Sequence, residues 1–236
     1  EVIGLMQSTQ GGPVIMMQVE NEYGSYGNDR GYNDFLKNLM IQCGCSVPLV
    51  TSDGPTEDML NCGEIGGVQQ TANFGSRGRL QLGVLQKKVG DKPLMCMEFW
   101  VGWFDSWGIP EHMGGDIQAH ARDLDEILSM GHVNIYMFEG GTNFGFFNGA
   151  NYYENLTPDV TSYDYDALLT EDGRITPKYE AFKEVIARYT QIPEVTFTAE
   201  IKRKAYGTLK VQRSTGLFSN LENLARPVEN LTPQSM

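Results

Sequence analysis

Long apolar runs are missing from this sequence: nowhere in its 236 residues are there the roughly 18 consecutive apolar side chains that a membrane-spanning helix needs. Positive charge is scarce too, 18 Lys and Arg against 30 Asp and Glu, for a formal net charge of −12. Nucleic-acid binding draws its affinity from clustered cations that displace counterions, so a nucleic-acid partner is excluded and a neutral or cationic small molecule is expected. Cysteine is sparse: Cys43, Cys45, Cys62 and Cys96 are too few and too irregular for a disulfide framework. Cys43-Gly44-Cys45 could form half a metal site, but His112, His120 and His132 show no matched spacing, so neither a metal nor another cofactor is expected. No glycine-rich phosphate fingerprint follows any apolar run, which argues against a dinucleotide fold.

What is present is a globular composition, 41% apolar, with 27 glycines and 10 prolines spread between apolar runs as tight turns would require. Five short runs have the continuous apolar character of parallel strands buried on both faces: Val14 to Val19, Val47 to Thr51, Gly67 to Ala72, Pro93 to Met97 and His132 to Phe138. Helical periodicity separates most of them. Tyr32, Phe35, Leu36, Leu39 and Met40 mark one helix face, with Gly44 placed to close it. Ile117, Ala121, Leu124 and Leu128 mark a second, with Gly131 after it. Phe182, Val185, Ile186 and Tyr189 mark a third, entered through Thr176-Pro177 as N-cap and first helical residue.

Strands alternating with helices predict an α/β chain with a parallel sheet, doubly wound or barrel. Polar residues gather just beyond the C-terminal ends of the strands, which favours a (β/α)8 barrel. A whole barrel takes about 250 residues, whereas the alternation ends near Tyr189 after five strands, so residues 1–190 read as its later part, about strands 4 to 8. Residues 191–236, with alternating pieces at 195–201 and 205–211, read as a linker into an incomplete β-rich region. With two sheet edges unpaired, such a piece is expected to fold poorly alone.

Two acidic positions stand out. Glu20-Asn21-Glu22-Tyr23 directly follows the first run, and extended backbone would point Glu20 and Glu22 to the same side. Position alone leaves Glu22 open between a solvated or ion-paired residue and a catalytic one. Glu98 closes the fourth run, and all three tryptophans, Trp100, Trp103 and Trp107, follow within ten residues. This fits either a carboxylate in a sugar site whose rings stack on indoles, or a Trp-rich core loop with Glu98 satisfied by an Arg. The pair is more telling than either member, because glycoside hydrolysis needs two carboxylates flanking one bond.

The segment Gly11-Gly-Pro-Val-Ile-Met-Met-Gln-Val-Glu-Asn-Glu-Tyr23 resembles, over its whole length, the active-site signature of the glycoside hydrolase family 35 β-galactosidases. Thr51-Ser-Asp-Gly54, Asn73-Phe-Gly75, Glu98-Phe-Trp-Val-Gly-Trp103, Glu139-Gly-Gly-Thr-Asn-Phe-Gly145 and Thr161-Ser-Tyr-Asp-Tyr-Asp-Ala167 extend the likeness over about residues 1 to 225. The resemblance implies a retaining hydrolase of terminal β-D-galactose from oligosaccharides or glycoconjugates, with no cofactor. It implies Glu22 as acid/base at the end of barrel strand 4, Glu98 as nucleophile at the end of strand 7, Asn21 bonding the sugar 2-hydroxyl, and Tyr165 reaching the glycone. Glu20 becomes a supporting residue. The resemblance also implies that Trp100 lies in the sugar pocket, at a position where lysosomal-type members carry Tyr, which suggests a chain nearer the bacterial members. Two other readings stay open: a catalytically inactive sugar-binding fragment, and the same chemistry on another β-glycoside. The chain begins at Glu1 without a signal-peptide pattern and reads as a fragment, so both a cytoplasmic and a secreted location remain open.

Overall fold

The computed structural model describes residues 2–145, 147–194, 202–226 and 228–232. Five strands form one curled parallel sheet in chain order: β1 (Met17–Gln18), β2 (Leu49–Asp53), β3 (Gln69–Phe74), β4 (Met95–Trp100) and β5 (His132–Tyr136). Each overlaps one of the five apolar runs. The first run shrinks most, to two residues, because β1 has β2 as its single neighbour and Val14 bridges back to Gln7 instead.

A short helix α1 (Val2–Met6) precedes the sheet, and helices fill the crossovers: α2 (Arg30–Gln42), α3 (Glu57–Cys62), α4 (Gly78–Val89) and α5 (Ile117–Leu128), with α6 (Pro177–Ile186) following β5. Asp29 caps α2 by accepting from Gly31 and Tyr32, and Gly44 closes it as predicted, with φ of 93° and the Cys45 amide bonded to the Met40 carbonyl. The second closure differs. Gly131 follows Ser129, which caps α5, and lacks left-handed backbone; its role is contact, since a Cβ there would lie 2.4 Å from the Leu94 carbonyl. Thr176 caps α6 through the Tyr179 amide, with Pro177 at the helix start as expected. Helices α3 and α4 are additions to the periodicity reading.

The main core lies between the sheet and helices α4, α5 and α6, where Phe74, Leu82, Leu85, Phe99, Leu124, Ile127 and Phe182 are buried. A smaller cluster of Val19, Ile65 and Val68 packs with Leu36 and Met40 of α2. The rest of the predicted α2 face is open, with Tyr32, Phe35 and Leu39 exposed. A hairpin that periodicity did not signal, β6 (Ala150–Tyr152) and β7 (Leu156–Pro158), follows the sheet. Of the two late alternating pieces, 195–201 lies outside the described residues and 205–211 forms no strand, while a four-residue helix, α7 (Leu221–Leu224), comes later. Among the described residues no helix is long and apolar enough to cross a membrane.

Candidate active site

The C-terminal ends of β1 to β4 carry Glu22, Asp53, Asn73 and Glu98 toward one place. Glu22 arrives by a route that strand geometry does not predict. Beyond Gln18 the chain leaves the extended conformation, and Glu20 and Glu22 are both left-handed, with φ of 60° and 53°. The expectation that they share a strand face is therefore wrong. Glu20 turns back to accept from the Tyr32 hydroxyl of α2 and the Asn21 amide at 3.1 Å. Glu22 is fixed the other way, its amide donating to the Ser52 carbonyl at 2.8 Å and its Oε1 accepting from Asn73 Nδ2 at 3.0 Å. Ser52 Oγ bonds the other end of the Asn73 amide at 2.5 Å, which sets which way that amide faces.

Glu98 owes its direction to a bulge. Along β4 and the residues flanking it, Leu94, Cys96, Phe99 and Val101 all belong to the helix-side core, so the inward phase steps by two, then three, then two. Both ladders shift at the same point: Ala72 and Asn73 of β3 face Cys96 and Glu98, and Val133 and Ile135 of β5 face Cys96 and Phe99. Without the extra residue Glu98 would follow Cys96 into the apolar core; with it, Glu98 stands opposite Asn73 on the other side of the sheet. The Met97 carbonyl at the bulge accepts from Asn134 Nδ2 at 3.0 Å.

The partner of Glu98 is Trp100, whose indole Nε1 donates to Oε2 at 3.0 Å, and not an arginine. Burial raises the Glu98 pKa above the usual carboxylate range; the Trp100 bond pulls it down, the Glu22 charge raises it, and an Asn73 hydrogen bond lowers it. Asn73 thus interacts with both carboxylates. Asp53, buried behind them, accepts from the Gly24 amide at 2.9 Å, and burial raises its pKa, offset in part by that bond. Cys96 is buried beside Glu98, and desolvation pushes its thiol far up, so it stays a neutral thiol.

An aromatic wall completes the site. Tyr165 is buried, with ring centroids 5.3 Å from Tyr163, 5.4 Å from Tyr136 and 6.1 Å from Trp103, and Trp103 meets Trp100 edge-on at 5.9 Å. Tyr136 and Tyr163 hydroxyls lie 3.2 Å apart. Burial raises the pKa of Tyr163 and Tyr165, leaving neutral phenols able to donate. Of the five positions expected from sequence, Glu22, Glu98, Trp100 and Tyr165 fall within this bonded and stacked set. Asn21 is exposed, its side chain accepting from Gln18 Nε2 at 2.8 Å, without a bond to the others. Sequence reasoning gave no role to Asn73, Ser52, Asp53, Tyr136 or Tyr163, although four of these, all but Tyr136, sit in the motifs that carry the resemblance. Among the described residues no cluster of three His, Cys, Asp or Glu side chains could hold a metal ion.

The loops are pinned by charge. His112 contacts Asp105 at 2.5 Å and Asp164 at 3.1 Å, and the Asp105 bond is the main cause of its raised pKa. Among the described residues, four of the five non-glycine residues with positive φ, namely Glu20, Glu22, Tyr165 and Asp166, belong to these site loops. Such conformations cost of order 1–3 kcal/mol each and persist where surroundings enforce them.

Residues 1–189 match the family model for glycosyl hydrolases family 35. A β-galactosidase of Xanthomonas manihotis is 40% identical over 233 residues, covering 96% of this chain and 38% of the relative. Beta-galactosidase-1-like protein 2 of Homo sapiens is 39% identical over 234 residues (98% and 36%), and a β-galactosidase of Canis lupus familiaris 41% over 222 (92% and 33%). Bacterial and mammalian relatives are thus about equally similar, and the chain spans 33–38% of their length. The chain belongs to glycosyl hydrolases family 35.

Proposed function

We propose that this chain is the active-site-bearing part of a retaining β-galactosidase, acting on terminal non-reducing β-D-galactose. In that reading residues 1–190 are barrel strands 4 to 8 with their helices, and 191–236 lead into a further domain. Glu98 attacks the anomeric carbon while Glu22 protonates the departing oxygen; Glu22 then takes a proton from the water that releases galactose from Glu98. The Trp100 and Asn73 bonds favour the ionised Glu98 that attack requires, against the burial that opposes it. Trp103, the exposed member of the aromatic wall, offers an apolar face to the sugar ring, the neutral hydroxyls of Tyr136 and Tyr163 offer donors to its oxygens, and buried Tyr165 backs them. Asn21 would bond the 2-hydroxyl once its side chain leaves Gln18.

The observation that carries the proposal is the convergence of Glu22 and Glu98 on Asn73, from strand ends that lie 76 positions apart in sequence. Its test uses the full-length protein and aryl β-galactosides. Glu98→Ala is expected to lose turnover by several orders of magnitude, with azide restoring it as a β-inverted, α-galactosyl azide product. Retained activity without azide would overturn the assignment. A panel of β-glucosides and β-mannosides checks the glycone, since preference for either would refute galactose as the substrate sugar.

A further inference from the structure

Lys178 is an anomaly. It is 1% exposed, and it sits in the first turn of α6, where the helix dipole disfavours a cation. Burying an ammonium is costly unless it is paired and fully bonded, so a lysine here is a poor choice for stability alone. Its three protons have three acceptors: the Val101 carbonyl at 2.5 Å, the Asp166 carbonyl at 2.6 Å and Asp166 Oδ2 at 2.6 Å. These acceptors lie on two different segments, one directly after Glu98-Phe99-Trp100 and one directly after Tyr165.

Where those segments meet there is no slack. A Cβ at Gly102 would lie 1.8 Å from the Tyr165 carbonyl oxygen, and Tyr165 and Asp166 are both left-handed, with φ of 63° and 52°. Asp166 is held from its other side as well, Oδ2 accepting from the Gly115 amide at 2.9 Å and its own amide donating to Asp164 Oδ1 at 3.1 Å. Among the described residues the ammonium is the one group with hydrogen bonds to both the strained Asp166 and the strand-β4 exit.

We infer that Lys178 is a positioning residue for the glycosidase site: its ammonium locks the loop bearing Tyr165 against the exit of β4, so that the aromatic wall and Glu98 keep one fixed spacing. The inference rests on the proposed function for its catalytic consequence and on the hydrogen bonds alone for its structural one. A displacement of about 1 Å at a reacting centre costs on the order of 100-fold in rate. Lys178→Met in the full-length protein is therefore expected to lower kcat/KM for an aryl β-galactoside by on the order of 100-fold. In Lys178→Ala, propylammonium, which replaces the deleted stem and charge, is expected to recover part of the rate, and tetramethylammonium, which has no N–H, none.

Hydrogen exchange read by mass spectrometry separates this role from general support: exchange should rise in residues 101–107 and 163–167 and stay at parental level in β2 and β3. The double variant Lys178→Met/Asp166→Asn removes both charges of the pair, buried Lys178 and half-buried Asp166, and keeps the experiment open if either single variant fails to fold; it should remain slow. Parental rates in Lys178→Met or in the double variant, a loss that propylammonium leaves unchanged, or a rise in exchange spread evenly over the sheet would each overturn the inference. Absence of β-galactoside cleavage by the parent protein would instead count against the proposed function, and the local exchange pattern would still decide the role of Lys178.

Discussion

The two carboxylates are held in opposite ways. Glu98 stands on a six-residue strand with neighbours on both sides, backed by the large core in which Phe99 stacks on Phe182 at 5.9 Å. Glu22 follows a two-residue strand backed by three buried side chains, and hangs in left-handed backbone on hydrogen bonds to Ser52 and Asn73. The nucleophile candidate is thus positioned by packing and a bulge, and the acid/base candidate by individual polar bonds. In the proposed mechanism the group that protonates, deprotonates and meets changing partners is thus the one on the side with fewer fixed contacts.

That contrast can be broken or sharpened by substitution. The largest effect is expected at Phe99→Ala, about 3–5 kcal/mol of stability from a fully buried ring, against about 1.5 kcal/mol for Val19→Ala at ~0.8 kcal/mol per buried methylene. Equal shifts in denaturant midpoint would erase the proposed difference between the two sides. Next, Asn73→Ala should leave the fold intact and lower kcat/KM on the order of 100-fold, most for poor leaving groups because Glu22 loses its fixed partner; a loss independent of leaving group would place Asn73 with Glu98 instead. Asn134→Leu strips the bulge carbonyl of its donor and should cost about 1–3 kcal/mol, together with turnover, and unchanged turnover would show that the bulge holds without it. The smallest effect is on pH. In the proposed mechanism Glu98 must be ionised to attack, so activity is expected to be lost as pH falls through its pKa, which burial raises. Trp100→Phe removes the bond that lowers it, so the acid limb should move to higher pH; a shift to lower pH would contradict the part given to the indole.

Much of the Glu98 side can be read from sequence, and little of the Glu22 side. Apolar runs locate all five strands, most fully the central β2, β3 and β4, which have neighbours on both sides and carry the buried residues, whereas the edge strands β1 and β5 are only partly covered. Helix α4 was readable in principle from Leu82, Leu85 and Val89 at helical spacing, but Gly83 and the short preceding turn obscure it. The left-handed turn at Glu20 and Glu22 carries no glycine or asparagine at either position to announce it. Asn73 gains its role from partners 51 and 25 positions away in sequence, a relation that only the sheet creates. The bulge was equally silent, since Met97 continues an apolar run without interruption. Lys178 reads in sequence as an ordinary surface cation.

The most direct test of the two-carboxylate account is covalent trapping. A 2-deoxy-2-fluoro-β-galactosyl fluoride slows both chemical steps, yet its good leaving group still lets the glycosyl-enzyme form and accumulate. Incubated with the full-length protein and followed by peptide mass spectrometry, it is predicted to label one carboxylate, Glu98, within residues 95–100. Label on Glu22, on Asp53 or on any other residue, or turnover of β-galactosides by a protein that never acquires the label, would contradict the account.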